Sequence, residues 1–167
     1  MGTHRWSVPF AHSSDQLRSM YAGQRGNATA RRYARFWSAV FASGVVPRRW
    51  VTLEVRGRTS GRPLRFPLGW VDVDGNRYLV SMLGQDCNWG KNVRAAGGEV
   101  VVRHRRSDRC HLVELDVADR APIIKAYLEH VPGARPHIPV DRHAEVNAFE
   151  AVAADYPVFR IDREPAR

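Results

Sequence analysis

The sequence predicts a mainly β protein with helices, an α+β chain whose strands close into a small antiparallel barrel. Three observations predict it. Short apolar runs with strand-like alternation recur after Trp50, and local turn signals, GRTSGR and Asp74-Gly75 among them, join these runs. Hairpin links of that kind imply antiparallel pairing, because parallel neighbours need long crossovers. About six strands so joined would leave two exposed edges, and closure of the sheet removes them.

In chain order, residues 1–26 show no sustained period and read as a flexible N-terminal arm ahead of a single domain over 27–167. From Asn27 to about Ser43 the pattern is helical: Tyr33, Phe36, Trp37, Val40 and Phe41 form one stripe, with Arg31, Arg32 and Arg35 off it. Gly44 and Pro47 end that helix. Strands follow at Val51–Val55, Leu64–Val73 and Arg77–Met82. Asn88–Ala96 suits a short helix closed by Gly97-Gly98, and Glu99–Arg105 with Cys110–Val117 makes a hairpin about the turn Arg106–Arg109. A helix over Asp119–His130, a Pro-rich loop to Asp141, a helix over Ala144–Ala154 and a strand at Pro157–Asp162 complete the chain.

At 167 residues the simplest organisation is one domain with a real core. No apolar run reaches the ~18 residues of a membrane span, and the N-terminus lacks a secretory apolar region. With only Cys87 and Cys110, a disulfide framework is not expected and a reducing cytoplasm is. The seven histidines show neither HExxH nor paired CxxC spacing, so no metal site is expected. No residue pattern bears on oligomeric state.

The net charge is +9, and residues 1–50 alone, with eight arginines and Asp15, supply +7 of it. All basic residues but Lys91 and Lys125 are arginine. Arginine grips phosphate and carboxylate in a fork, so an anionic partner is plausible, although a bias in base composition gives the same count. The basic helix could rest on the inner face of an anionic membrane or simply pack on its own domain. Nucleic acid is not expected as a partner, since no helix-turn-helix or RNP pattern is present.

Two stretches carry chemistry. GRTSGRPLR (residues 57–65) joins two strands and sets Arg58, Arg62 and Arg65 beside the hydroxyls of Thr59 and Ser60. It lacks the GKS or GKT ending of a phosphate-binding Walker loop, and its serine stands one place too late for a nucleophile elbow. Its glycines, hydroxyls and guanidiniums are the parts of an anion-binding nest, and equally those of a solvated hairpin. SMLGQDCNWGKNVRAAGG (residues 81–98) runs from a strand end into a helix whose first turn holds Asn88, Trp89, Gly90, Lys91 and Asn92. The unpaired N–H groups of a helix start also suit phosphate. No nucleophile–base pair emerges, and Arg135, His137 and His143 with Asp141 suit surface or substrate contacts.

GRTSGRPLRFPL followed by NWGKNVRAAGG, with ARPHIP, FE and YPVFRI over residues 134–161, resembles the deazaflavin-dependent nitroreductase family over about residues 30–162. The resemblance implies a split β-barrel related to the FMN-binding oxidoreductases and binding of the deazaflavin coenzyme F-420, with FMN as the alternative. It implies that Arg58, Thr59, Ser60 and Arg65 hold the polyanionic phosphodiester and glutamate tail, with Phe66, Pro67 and Leu68 lining the path inward. Asn88, Trp89, Gly90 and Asn92 would complete the phosphate side, and Met82 would also contact the coenzyme. Ser81 matches the family serine near the reactive end, as the catalytic residue. The implied chemistry is hydride transfer to a small-molecule acceptor: a quinone, a nitro compound or an activated alkene. Leu64 stands where the first of two family arginines is usual, Met82 and Gly90 stand where some members have lysine and tyrosine, and the C-terminal third offers only Tyr127 and Tyr156. A split-barrel binder of FMN or another ligand without turnover, and a basic peripheral membrane or nucleic-acid protein, are the alternatives.

Overall fold

The computed structural model describes residues 28–45 and 47–164. The N-terminal arm expected over residues 1–26 lies outside the described residues. Helix α1 (Ala28–Ser43) precedes strands β1 (Trp50–Arg56), β2 (Pro63–Gly69), β3 (Val71–Val73) and β4 (Asn76–Val80). Helix α2 (Asn88–Ala95) leads to β5 (Glu99–His104) and β6 (Arg106–Glu114). Helices α3 (Arg120–His130) and α4 (Val146–Glu150) come before the last strand, β7 (Val158–Arg163).

The strands form one antiparallel sheet in the order β2-β1-β5-β6-β7-β4-β3. Its two edge strands, β2 and β3, are separated in the chain only by Trp70, so the sheet must curl until its edges meet. The result is a split β-barrel. There are seven strands where the sequence suggested about six, because the run Leu64–Val73 divides at Trp70. There the Trp70 N–H makes one more bond in the β1–β2 register, to the Arg49 carbonyl at 2.9 Å, before the chain passes to the other edge. Pro63 and Pro67 both sit on β2, an edge strand where a missing N–H costs no ladder bond.

Strand alternation splits the apolar residues between two faces. Val51, Leu53, Val55, Leu79, Val102, Leu112 and Phe159 fill the inside of the curl with Trp89 and Val93 of α2. Val71, Val80 and Val158 face outward onto α3 and α4, where Ile124, Tyr127, Leu128 and Phe149 complete a second core. Helix α1 covers the outer side of β1, β2 and β5, and the buried Thr52 hydroxyl donates to the Ser38 carbonyl at 2.5 Å. Its predicted stripe divides: Phe41 is buried and Trp37 half-buried, but Phe36 stays 62 % exposed.

The hairpin expected at Asp74-Gly75 forms with both residues at positive φ (50° and 79°), the geometry of a tight two-residue turn. The β5–β6 turn differs from expectation. It is made at Arg105 alone (φ 61°), and residues 106–109, expected as a loop, continue the ladder opposite Val101–His104. The late helix is shorter than Ala144–Ala154, since hydrogen bonding turns irregular after Glu150.

Candidate functional site

Helix α1, strand β2, the start of α2 and the segment after α3 enclose a cavity of about 830 Å³. The turn after β1 forms its outer lip. Gly57 N–H donates to the Arg62 carbonyl and Gly61 N–H to that of Gly57, both at 2.8 Å, which leaves Thr59 and Ser60 outermost. Arg58 crosses from this turn to α2. Its backbone N–H and guanidinium both donate to Asn92 Oδ1, at 3.2 and 2.8 Å, and a second guanidinium nitrogen reaches Asn88 Oδ1 at 3.3 Å. The turn at 57–65 and the start of α2 therefore line one cavity, tied by one arginine.

The electrostatics of the lining are one-sided. Arg31 and Arg35 come from α1, Arg58 and Arg65 from β1–β2 and His137 from the loop after α3, while no Asp or Glu among the described residues lines the cavity. Arg65 has its charge partly answered: its Nε donates to Glu54 Oε2 at 2.7 Å, and Glu54 also accepts from Arg103. The Arg103 hydrogen bond, then that of Arg65, holds the Glu54 carboxyl below its ordinary range.

Inward of the rim the walls are apolar. Trp37, Phe41 and Trp50 run in sequence along one side with ring centroids 5.5–5.6 Å apart, and Phe66, Leu68, Met82, Leu83 and Trp89 make up much of the rest. Two titratable groups lie at the buried end. Tyr127 is 2 % exposed, and among the described residues its hydroxyl has no hydrogen-bond partner. Burial, and secondly the neighbouring Cys87, raise its phenol above the ordinary tyrosine range. Burial likewise pushes the Cys87 thiol up, against smaller opposing contacts from Ser81 and from the Trp89 and Gly90 N–H groups. Both side chains are neutral at physiological pH.

A profile described as F420H(2)-dependent quinone reductase matches residues 28–147. This chain belongs to that family. It is therefore an F-420-dependent reductase that acts on a small-molecule acceptor. Among solved structures, a conserved hypothetical protein from Mycobacterium tuberculosis superposes with a TM-score of 0.52 at 15 % identity, over 76 % of this chain and 80 % of that one. An F420-H2 dependent reductase gives 0.47 at 24 % identity, over 71 % and 97 %. A FAD-binding protein from Mesorhizobium loti gives 0.46 at 18 %, over 83 % and 91 %. No curated protein matches the chain.

The residues present fit the family's coenzyme. A rim that among the described residues carries four arginines and no carboxylate suits a polyanionic tail, and an aromatic-walled interior suits a flat ring system. Of the residues the sequence resemblance singled out, Arg58, Thr59, Ser60, Arg65, Phe66, Pro67, Leu68, Met82, Asn88, Trp89 and Asn92 all line this one cavity. Ser81 and Gly90 do not. Ser81 is 1 % exposed and its hydroxyl donates to the Gly84 carbonyl at 2.8 Å, so it braces the loop before α2. Gly90 faces the interior toward Phe159, and its N–H lies against the Cys87 sulfur. Arg62 also stays outside the lining.

Sequence reasoning left out Arg31, Arg35, Trp37 and Tyr127. The arginines had been placed on a solvent- or membrane-facing side, although their spacing on α1 (i, i+4) was a usable signal for one shared face. Tyr127 was read only as part of an apolar stripe, and nothing local marks its hydroxyl. No helix among the described residues is long and apolar enough to cross a membrane.

Proposed function

We propose that this chain grips the tail of F-420 at the arginine rim and reduces a quinone within the apolar interior of the same cavity. The observation that carries this reading is the division of one cavity, among the described residues, into an arginine-lined mouth without carboxylates and an aromatic interior that holds the buried Tyr127 phenol. When bound, reduced F-420 supplies a hydride to a two-electron acceptor.

The roles of the residues follow from their surroundings. Arg58, held in place by Asn88 and Asn92, donates to phosphate or carboxylate oxygens with the exposed hydroxyls of Thr59 and Ser60 beside it. Arg65 adds a weaker contact because Glu54 shares its charge. Arg31 and Arg35 close the rim from α1. Phe66, Pro67, Leu68, Met82 and Trp89 shape the passage and exclude water. Asn92 and Ser81 are positioning residues: the first aims Arg58, the second fixes the loop that carries Cys87.

Tyr127 is the group placed to meet the acceptor. Its hydroxyl is kept protonated by burial and has no partner among the described residues, so it is placed to donate a hydrogen bond to a quinone carbonyl oxygen as negative charge develops there. A flat, apolar acceptor with two carbonyl oxygens matches these walls better than a small polar one does.

The test follows oxidation of reduced F-420 by the purified chain with a naphthoquinone, a nitroimidazole and a cyclic enone as acceptors, with FMN binding titrated in parallel. A quinone kcat/KM at least about tenfold above the other two, one RT ln 10 of transition-state preference, is the expected result. Preference for the nitro compound or enone would replace the quinone as acceptor. FMN binding tighter than that of F-420 would overturn the role given to the rim.

A further inference from the structure

We propose that the open end of the barrel is a second binding site, which takes an amphiphilic anion: an apolar chain ending in a carboxylate or phosphate. A cavity of about 1060 Å³ opens there and shares no lining residue with the coenzyme cavity. Its apolar lining is Val45, Pro47 and the half-buried Ile161, with the buried Trp70, Val102 and Cys110 of the inner core beneath them. Its rim carries Arg48, Arg77, Arg105, Arg106 and Arg163, with Asp108 as the one acid in the lining.

The charge is not cancelled locally. Arg163 faces Asp108 at 3.5 Å, and Arg77 donates to Asp72 at 3.3 Å while lying 4.4 Å above the Trp70 ring. Arg48, Arg105 and Arg106 have no carboxylate partner among the described residues, which leaves three positive charges beside an apolar lining. Arg48, Arg105 and Arg106 are all exposed, so the arrangement is hydrated when empty and well matched to an anion with an apolar body.

One of these arginines is held there against backbone preference. Arg105 adopts φ 61°, uncommon for a residue with a side chain, and is fixed from the end of α1: its N–H donates to the Ala42 carbonyl at 3.0 Å and its Nε to that of Gly44 at 3.2 Å. Any side chain at Gly44 would overlap Arg105 Cγ, so the glycine is what lets the arginine stem pass. A second copy of this chain is a poor occupant, because each copy carries +9 and the cavity is itself cationic. The apolar lining also separates this site from a surface track for nucleic acid, which would follow phosphates along an open groove.

The experiment is calorimetric titration of the full chain, with and without saturating F-420, using dodecanoate, dodecyl phosphate, dodecanol and inorganic phosphate. Expected is binding of one or both amphiphilic anions at least about tenfold tighter than dodecanol or inorganic phosphate, unaffected by F-420. The tighter of the two anions identifies the headgroup. The double variant Arg48→Ala/Arg106→Ala should weaken this binding about tenfold or more while keeping its F-420 affinity, which shows that it folds. Arg58→Ala should leave the amphiphile affinity unchanged. Equal binding of dodecanol, displacement by F-420, loss on Arg58→Ala or no effect of the double variant would each overturn the proposal. The coenzyme reading is tested at a separate cavity and stands or falls independently.

Discussion

Arg58 donates twice to Asn92 Oδ1, once from its backbone N–H and once from its guanidinium, across 34 residues of chain. Asn92 is buried to 2 % and Arg58 is exposed, so a fixed amide in the core of the site aims a charge at its mouth. This separates tether from charge. Asn92→Asp keeps an acceptor for Arg58 and turns the contact into an ion pair, yet cancels the positive charge offered to the coenzyme. It is therefore expected to weaken F-420 binding about tenfold while leaving the fold intact, as read by ligand fluorescence and near-UV circular dichroism. Wild-type affinity in Asn92→Asp would mean that Arg58 does not meet the coenzyme.

The rim arginines should not be equal. Arg58 has only neutral amide partners, whereas Arg65 lies 2.7 Å from Glu54. Removal of Arg58 deletes an uncompensated cation, and its charged hydrogen bond to an anion is worth about 1.5–3 kcal/mol. Arg65→Ala should cost less, because it also frees Glu54 to be satisfied by Arg103 alone. Titration of F-420 against Arg58→Ala and Arg65→Ala tests the order. A larger loss in Arg65→Ala would reverse the assignment of principal tail contact.

Much of this site was legible in sequence because its parts are local. The turn at 57–65 and the helix start at 88–92 each declare themselves by residue type, and short strands leave few ways to place them apart. What was not legible depends on long-range packing. That Arg31 and Arg35 look onto a cavity is decided by how α1 lies across β1 and β2, and the place of Tyr127 by how α3 meets the outer face of the sheet. At Ser81 the motif marks a position but not where the hydroxyl points, and in the fold it donates to the Gly84 carbonyl. The break at Trp70 was hidden because the residues on both sides favour strand, and only the barrel's closure forces the chain to leave one edge for the other.

Stability should fall on the acid side for a definable reason. The carboxyls of Glu54 and Glu114 lie below the ordinary 4.5, the first chiefly through Arg103 and the second chiefly through Arg94. Folded-state values below unfolded ones mean that the unfolded chain binds protons first, so stability is fully present above 4.5 and lost as pH falls through the lowered values. Glu114 has a further duty, since it lies 3.1 Å from Arg120, a guanidinium only 6 % exposed. Glu114→Gln should therefore lose about 3 kcal/mol already at neutral pH, by leaving that buried charge unpaired, and show a shallower acid limb. Urea unfolding of both proteins across pH 3–7, the range in which carboxyls titrate, gives the two quantities together. An unchanged neutral-pH midpoint in Glu114→Gln would show that Arg120 is held by the Leu115 and Ala153 carbonyls alone.

The Tyr127 hydroxyl gives the sharpest division between folding and chemistry. It is buried beside Cys87 at the inner end of the cavity, and among the described residues nothing accepts its proton or donates to it. A hydroxyl without a partner contributes nothing favourable to the folded state, so Tyr127→Phe should be neutral or slightly stabilising in urea. F-420 affinity should likewise hold, since the rim is untouched. If the phenol meets the acceptor oxygen, kcat with a quinone should drop by about 10²-fold, the scale of one lost donor to a developing oxyanion. The two readouts pull apart only under that mechanism. A packing role would lower stability and turnover together, and an unchanged kcat would remove Tyr127 from the reaction and leave the apolar walls and the rim as the protein's whole contribution.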